Sequence, residues 1–221
     1  MSYYPAFLDL RGRAGLVVGG GDVARGKVEG LLRAGARVTV VAPSVTRAVE
    51  RLAEEGDVTV VVRPYATQDV RGFQVVIAAT DDPEVNRRVA ADAILAGVLV
   101  NVVDDPRQSS FIAPAVLERG DLQVAISTSG ASPAFAVFVR DRLAAEIGPH
   151  YGVALAILAK VRQRLRAEGR SMEARRRILR GLAEGGLVEH VGRQDHAAVE
   201  ELLRAMAGDG FSLRGLGVDF V

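Results

Sequence analysis

The feature that most constrains this chain is a glycine-rich turn at residues 19–24, which reads GGGDVA. An apolar run, 14–18, precedes the turn, and a run with helical character, 22–34, follows it. In the spacing G-x-G-x-x-A, Gly19 permits a tight turn, Gly21 lets a phosphate approach the backbone, and Ala24 lets the helix pack close to the strand. The helix would offer free N–H groups and its positive dipole end to phosphates. A glycine turn alone is weak support, but this context predicts a dinucleotide site.

Strand and helix patterns alternate over the first hundred residues, which predicts a parallel α/β sheet of the Rossmann type. The predicted strands are short runs rich in apolar residues, as expected of strands buried on both faces. They cover 14–18, 37–42, 58–63, 73–79 and 98–103. The predicted helices cover 22–34, 44–55 and 83–96. Gly35 is expected to end the first helix, and Asp82 and Pro83 are expected to be the N-cap and first residue of the third.

The pattern changes near residues 112–114, where we place a domain boundary. Strands are predicted at 111–116 and 122–127, then a helix at 133–146, and from 150 onward the pattern is helical. We therefore expect an α/β protein in which a Rossmann-type sheet is followed by a small α+β segment and a C-terminal helical domain. The predicted domains are 1–113, 114–147 and 148–221. The glycine-rich tail, 208–221, is expected to be poorly ordered unless Phe211 and Phe220 anchor it.

Composition excludes several classes of function. Among 221 residues, 49% are hydrophobic, the formal net charge is +1, and there is no cysteine, which excludes disulfides and thiolate chemistry. No stretch is long and apolar enough for a membrane span, and 1–13 lacks a signal-peptide pattern, so we expect a soluble cytoplasmic protein. Acidic residues interrupt the C-terminal arginines, which predicts a solvated helix face rather than a nucleic-acid site. His150, His190 and His196 lack metal-ligand spacing, so no metal site is predicted.

Ligands of an open parallel sheet bind beyond the carboxyl ends of its strands. After the second strand the chain offers Pro43 and Ser44 but no acid for a ribose hydroxyl, so we expect backbone groups and Ser44 to hold the ribose. The missing acid leaves NAD and NADP unresolved, and the absence of an arginine in this turn favours NAD only weakly. After the fourth strand, Thr80 is expected to line the groove, with Asp81 a solvated loop residue and Asp82 a helix cap.

Two further stretches have a functional and a structural interpretation of similar weight. Asp104 and Asp105 follow the fifth strand, where a nicotinamide ring would lie, and a carboxylate beside an apolar strand end can act as a general base. Both are equally compatible with plain loop residues, Asp105 preceding a proline. Residues 128–132 (TSGAS) could bind an anion before a helix. The alternative is simple N-capping by Ser132.

Six segments taken together resemble the precorrin-2 dehydrogenase family, which includes the N-terminal module of sirohaem synthase. The resemblance runs in order from about residue 3 to 146 and is far more specific than any one segment. The segments are 4–12 (YPAFLDLRG), 17–24 (VVGGGDVA), 78–82 (AATDD), 101–104 (NVVD), 110–115 (SFIAPA) and 126–133 (ISTSGASP). After residue 150 the similarity is one of length and helical character alone.

The resemblance implies an enzyme that transfers a hydride from precorrin-2 to NAD, giving sirohydrochlorin. Some family members also insert ferrous iron as a second substrate to give sirohaem. Asp104 falls on the family's important aspartate, which implies a catalytic role in proton removal. Family members are homodimers, which makes 114–147 the expected dimerisation segment.

The resemblance and the fold together give a set of expected binding residues. The substrate is a polycarboxylate tetrapyrrole, and its implied partners are Ser110, Thr128 and Ser129, although Thr128 stands where a serine is common. The residues expected to bind the cofactor are Gly19, Gly21, Asp22, Val23, Ala24, Pro43, Ser44 and Thr80.

Two alternatives belong to other classes. A nucleotide-sensing regulatory module would need the glycine turn but neither Asp104 nor the segments at 110–115 and 126–133, whose presence counts against it. An unrelated small-molecule oxidoreductase is disfavoured because no Tyr-x-x-x-Lys pair is present: Tyr65 and Tyr151 lack a lysine four residues on.

Overall fold

The computed structural model describes residues 3–220 and divides the chain into two compact units, 1–113 and 114–221. Met1, Ser2 and Val221, which the predicted domains include, lie outside the described residues. None of the helices formed by residues 3–220 combines the length and the apolar character needed to cross a membrane.

The first unit is a five-stranded sheet in which every neighbouring pair runs parallel, with the order β3-β2-β1-β4-β5. Its strands are β1 (Ala14–Val18), β2 (Arg37–Ala42), β3 (Val58–Val62), β4 (Val75–Ala78) and β5 (Leu99–Val102). Its helices are α1 (Asp22–Arg33), α2 (Arg47–Glu54) and α3 (Pro83–Leu95). The Rossmann-type sheet predicted from the alternating pattern is therefore confirmed.

Both faces of the sheet are buried, because successive side chains of a strand point to opposite sides. In β1, Leu16 belongs to a core cluster with Val89 and Ala93 of α3, whereas the next residue, Val17, packs with Val28 of α1. Helix α3 thus covers one face, and α1 and α2 cover the other. The near-continuous apolar strands follow from this arrangement.

One predicted strand is misplaced. The expected strand at 111–116 is observed as β6 (Ala115–Arg119), because the residues before it are held along β5 instead. The N–H of Ser110 donates to the Val100 carbonyl at 2.8 Å, and the Asn101 side chain donates to the Phe111 carbonyl at 3.1 Å. The helix expected from residue 44 begins at Arg47, because the Thr46 N–H donates to the Gly20 carbonyl at 2.9 Å before the helix starts.

The second unit joins an antiparallel hairpin to a helical core. Strands β6 and β7 (Leu122–Ile126) form the hairpin, and Arg119 donates to the carbonyls of Ala144 and Ile147 at the end of α4 (Pro133–Glu146). The remaining helices form one continuous apolar core. They are α5 (His150–Ala167), α6 (Met172–Glu184), α7 (Leu187–Gly192), α8 (His196–Ala207) and α9 (Leu213–Leu216).

The expectation of a poorly ordered tail is wrong, and the anchoring role of its two phenylalanines is confirmed. Phe211 and Phe220 are 3% and 7% exposed and belong to the helical core. The Arg164 guanidinium lies 4.6 Å from the Phe211 ring centroid, and His196 stacks on Phe220 at 4.4 Å. Burial of two aromatic rings offsets the backbone entropy that the glycines of this segment lose on ordering.

Replacing Phe211 with alanine should destabilise the second unit by about 3–5 kcal/mol, because a buried aromatic ring is lost and a cavity is left. The measurement is urea unfolding followed by the helical circular dichroism signal. Phe7→Ala is the matched control, since Phe7 is 69% exposed, and it should change stability by less than about 0.5 kcal/mol. Equal, small effects of the two substitutions would contradict the packed tail.

Candidate dinucleotide site

Residues that follow three strands line one cavity of about 600 Å³ at the carboxyl edge of the first unit's sheet. The glycine turn follows β1, the turn at 43–46 follows β2, and the turn at 79–82 follows β4. Seven of the residues predicted to bind the cofactor are among its lining: Gly19, Gly21, Asp22, Val23, Pro43, Ser44 and Thr80. The eighth, Ala24, is fully buried beneath the turn, where a larger side chain would separate α1 from the sheet.

Each of the three consecutive positions is glycine for a different physical reason. Gly19 has a φ of +127°, and a Cβ there would clash with the Ala79 carbonyl oxygen of the β4 turn. A Cβ on Gly20 would clash with the Ser44 carbonyl oxygen of the β2 turn and lie 2.8 Å from the Val45 Cα. At Gly21 a Cβ meets nothing within 4 Å, and φ is −82°. The fold therefore requires the first two glycines, while the third leaves space beside the cavity.

The N-terminus of α1 is a set of free donors at this cavity. The first helical bond runs from the Arg25 N–H to the Gly21 carbonyl at 3.0 Å, so the amides of Asp22, Val23 and Ala24 have no acceptor among residues 3–220. Gly21, the N-cap, has no side chain to satisfy them. Unpaired amides with a positive dipole end suit a phosphate group, and a Cβ-free residue lets it approach. The residues present therefore fit a pyrophosphate.

The β2 side of the cavity contains two hydroxyls and no carboxylate. Ser44 is exposed, whereas the Oγ1 atom of Thr46 is buried and has no hydrogen-bond partner within the described residues. Buried hydroxyls without a partner are uncommon, because desolvation is not repaid. An acceptor or donor supplied by a ligand would satisfy Thr46, which sequence reasoning missed because it placed residue 46 inside a helix.

Two further lining residues, Tyr65 after β3 and Arg88 of α3, were also missed by sequence reasoning. Tyr65 is 6% exposed, and its hydroxyl donates to Asp92 at 2.8 Å. Burial, with the Asp92 carboxylate beside it, raises the pKa of Tyr65 well above its usual value, so the phenol stays protonated. Arg88 donates to the Tyr65 carbonyl at 2.7 Å and lies over the ring at 5.2 Å. These contacts join residues more than twenty positions apart, so no local pattern indicates them.

The turn after β4 is fixed by its own side chains. Asn86 accepts from the Thr80 hydroxyl at 2.8 Å and donates to the Thr80 carbonyl at 2.9 Å, which holds the turn against α3. Asp82 accepts from the Glu84 N–H at 2.8 Å, so the expected cap is confirmed. Thr80 lines the cavity with its hydroxyl already engaged, and its contribution to a ligand would come from the turn's backbone and from its methyl group.

The two aspartates after β5 have different surroundings. Asp105 accepts from the Gln108 side chain at 2.7 Å and from the Arg107 N–H at 3.1 Å, and these bonds lower the pKa of its carboxyl. A structural acid with a lowered pKa is a poor base. Asp104 is exposed, its φ is +63°, and its carboxylate has no hydrogen bond among the described residues.

The geometry places Asp104 at the same sheet edge as the cavity. Ala78 of β4 pairs with Val102 of β5, so Thr80 and Asp104 each lie two residues beyond a paired position. Asp104 is outside the lining of the cavity itself. A carboxylate next to the far end of a dinucleotide groove is available to a substrate that reacts there.

The three hydroxyls predicted to bind substrate are not alike. Ser110 accepts from the Val100 N–H at 2.8 Å, so its hydroxyl completes the edge of β5. In the second unit, Thr128 donates to the Ser132 carbonyl at 3.0 Å, and Ser132 caps α4. Ser129 has a φ of +54° and, within residues 3–220, its hydroxyl has no partner. Their roles toward a substrate stay predictions, with Ser129 the most available.

The fold and the glycine turn define a dinucleotide-binding α/β protein. Comparison with known proteins narrows this class. Residues 6–115 match a family model described as "Putative NAD(P)-binding", and 119–146 match one described as "Sirohaem biosynthesis protein central". Within residues 3–220 no group of three or more histidine, cysteine or acidic side chains is placed to hold a metal ion.

The relatives are siroheme synthases. The chain is 40% identical over 216 residues to the siroheme synthase of Chromobacterium violaceum, covering 97% of this chain and 46% of the relative. It is 39% identical over 210 residues to siroheme synthase 3 of Aeromonas hydrophila, covering 95% of this chain and 45% of the relative. The chain thus spans less than half the length of these relatives.

One solved structure matches nearly the full length of both this chain and its own. SirC, a precorrin-2 dehydrogenase, superposes with a TM-score of 0.79 at 28% identity, covering 93% of this chain and 99% of that one. The two family models, the siroheme synthases and SirC together confirm the resemblance to the precorrin-2 dehydrogenase family that is seen in the motifs of this chain.

Gly21→Ala should separate ligand binding from folding. Because its added methyl group meets open space, stability should change by about 1 kcal/mol or less, while NAD affinity should fall about tenfold or more as the methyl blocks the phosphate. The measurements are thermal unfolding and isothermal titration calorimetry. Gly20→Ala is the control, and overpacking should lower its free energy of unfolding by about 1–3 kcal/mol. Unchanged NAD affinity in Gly21→Ala would place the phosphates elsewhere.

Proposed function

We propose that this chain catalyses the NAD-dependent oxidation of precorrin-2 to sirohydrochlorin in sirohaem biosynthesis. The observation that carries the proposal is Asp104, an exposed carboxylate on a left-handed backbone at the sheet edge that the dinucleotide cavity occupies. The family resemblance supports the choice of substrate. The regulatory alternative needs no such carboxylate and nothing in the matches favours it.

Each part of the site has a defined task in this reaction. Bound NAD supplies the hydride acceptor. The free amides of α1 hold its pyrophosphate, and the missing Cβ of Gly21 allows the approach. Loss of a hydride from a reduced macrocycle must be accompanied by loss of a proton, and a carboxylate oxygen of Asp104 accepts that proton. Asp105 is not proposed for this step, because its hydrogen bonds lower the pKa of its carboxyl.

We further propose NAD rather than NADP as the physiological cofactor. The turn after β2 presents Ser44 and the buried hydroxyl of Thr46, which suit a ribose hydroxyl as partners. It presents no arginine to neutralise a 2′-phosphate, since Arg47 is engaged with Glu50 and Glu54 on α2.

The second unit carries a surface that supports a homodimer. Phe135 and Phe138 of α4 are 56% and 55% exposed, and their ring centroids lie 5.9 Å apart. Val137 on the same helix is also exposed. A pair of large exposed aromatic rings is typical of an interaction surface rather than of a solvated helix. We propose that this face pairs with a second copy, as the dimerisation segment 114–147 would require.

Asp104→Asn should reduce turnover about 10²- to 10⁴-fold while NAD affinity changes little, because the amide cannot accept the proton and lies outside the cavity lining. The assay is anaerobic: purified protein, precorrin-2 generated in situ, and NAD, followed by sirohydrochlorin absorbance. Ferrous iron added after the plateau tests for insertion of the metal as a second substrate. Intact NAD binding without any product from the unaltered protein would overturn the proposal and favour the sensing module.

Phe138→Asp should convert the proposed dimer to a monomer, because an ionised side chain cannot be buried without a partner. Light scattering after gel filtration measures the mass directly. Met172→Asp is a matched control, since Met172 is 63% exposed at the start of α6 and away from the aromatic pair. A monomeric unaltered chain, or a dimer that Phe138→Asp leaves intact, would refute the assignment of this face.

A further inference from the structure

The chain leaves the end of β5 at Asp104 and returns along the outer edge of the same strand. Strand β5 is the last of its sheet, so its outward amides have no neighbouring strand. Two consecutive serines replace that strand. The Ser109 hydroxyl accepts from the Val102 N–H at 2.9 Å, and the Ser110 hydroxyl accepts from the Val100 N–H at 2.8 Å.

Ser109 makes a second contact that Ser110 does not. Its hydroxyl also donates to the Asp105 carbonyl at 3.0 Å. Both hydroxyls have a longer contact with the carbonyl of their own partner on β5, Ser109 with Val102 at 3.4 Å and Ser110 with Val100 at 3.3 Å. One oxygen therefore joins residue 102 to residue 105. The Asp105 N–H also bonds to the Val102 carbonyl at 3.2 Å, so the two bonds close a turn around Asp104.

The backbone conformation of Asp104 explains why this turn needs hydrogen bonds to hold it. With a φ of +63°, Asp104 occupies the left-handed region, which aspartate enters more often than most residues other than glycine but still at a cost that the surroundings must offset. The exposed carboxylate of Asp104 makes no hydrogen bond among residues 3–220, so it does not fix its own direction. The direction of the Asp104 carboxylate is thus set by the turn, and hydrogen bonds of Ser109 hold that turn in place.

We propose that Ser109 is a positioning residue that orients Asp104 for proton removal. The inference rests on the proposed function, because it assigns Ser109 a role in that same reaction through Asp104. The residues that the Ser109 hydroxyl contacts, Val102 and Asp105, do not line the dinucleotide cavity, so its effect should fall on the chemical step rather than on cofactor affinity.

The test compares Ser109→Ala with Ser109→Thr in single turnovers with enzyme in excess. Ser109→Ala should lower the rate about 10- to 100-fold with NAD affinity within about twofold of normal, and Ser109→Thr, which keeps a hydroxyl, should recover most of the rate. Hydrogen exchange gives a readout independent of activity: Ser109→Ala should speed exchange at the Val102 amide. Ser110→Ala, the matched edge variant, should instead speed exchange at Val100.

A double-mutant cycle decides whether Ser109 acts through Asp104. In an Asp104→Asn background, Ser109→Ala should have little further effect on the rate, because the group it positions is already disabled. Ser171→Ala controls for a general loss of stability, since it removes a hydroxyl that caps α6 by accepting from the Ala174 N–H at 3.2 Å in the second unit. It should leave the rate unchanged.

The outcomes separate the two proposals. A normal rate in Asp104→Asn would overturn the catalytic role of Asp104, and the inference about Ser109 with it. A slow Asp104→Asn together with a normal Ser109→Ala would overturn the inference alone. A Ser109→Ala loss that persists in full in the double mutant would also overturn it, because the serine would then act independently of Asp104.

Discussion

The close approach of three backbone turns at one sheet edge is the constraint on which the site depends. Gly19 lies against the Ala79 carbonyl and Gly20 against the Ser44 carbonyl, so any side chain at either position would force two turns apart. Parallel pairing brings these turns together, since the carboxyl ends of β1, β2 and β4 meet at the same edge. The cavity exists because the turns are packed on glycine, and the free amides of α1 open onto it.

The position of Asp104 depends on how the outer edge of strand β5 is hydrogen-bonded. Strand β5 has a neighbour on one side only, and the chain satisfies its other side with the hydroxyls of Ser109 and Ser110 and the Ser110 N–H instead of a further strand. Side-chain partners end the sheet and at the same time fix the loop that carries Asp104. The same solution explains why Phe111, the first residue of a predicted strand, does not join the hairpin of the second unit.

Some of the sequence interpretation failed for reasons that can be named. A glycine-rich composition indicated disorder for the tail, but Phe211 and Phe220 are buried with residues of α5 and α8 far back in the chain. Residue 46 was expected inside a helix over 44–55, but Thr46 precedes the helix because its N–H donates to the Gly20 carbonyl. Tyr65 and Arg88 gave no local signal, because they meet through the packing of α3 on the sheet. In each case the deciding contact is long-range.

The sequence by itself determined the order of strands and helices, the glycine turn, the caps at Asp82 and Ser132, and the family resemblance, because these depend on neighbouring residues and on periodicity. Through the family resemblance it also predicted a role for Asp104 rather than Asp105, but not the physical difference between the two carboxylates. Only the tertiary structure decided that Asp105 is held by Gln108, that Asp104 has a left-handed backbone, and that Ser109 ties its turn. Those properties depend on where a loop returns along a strand edge, which local pattern does not encode.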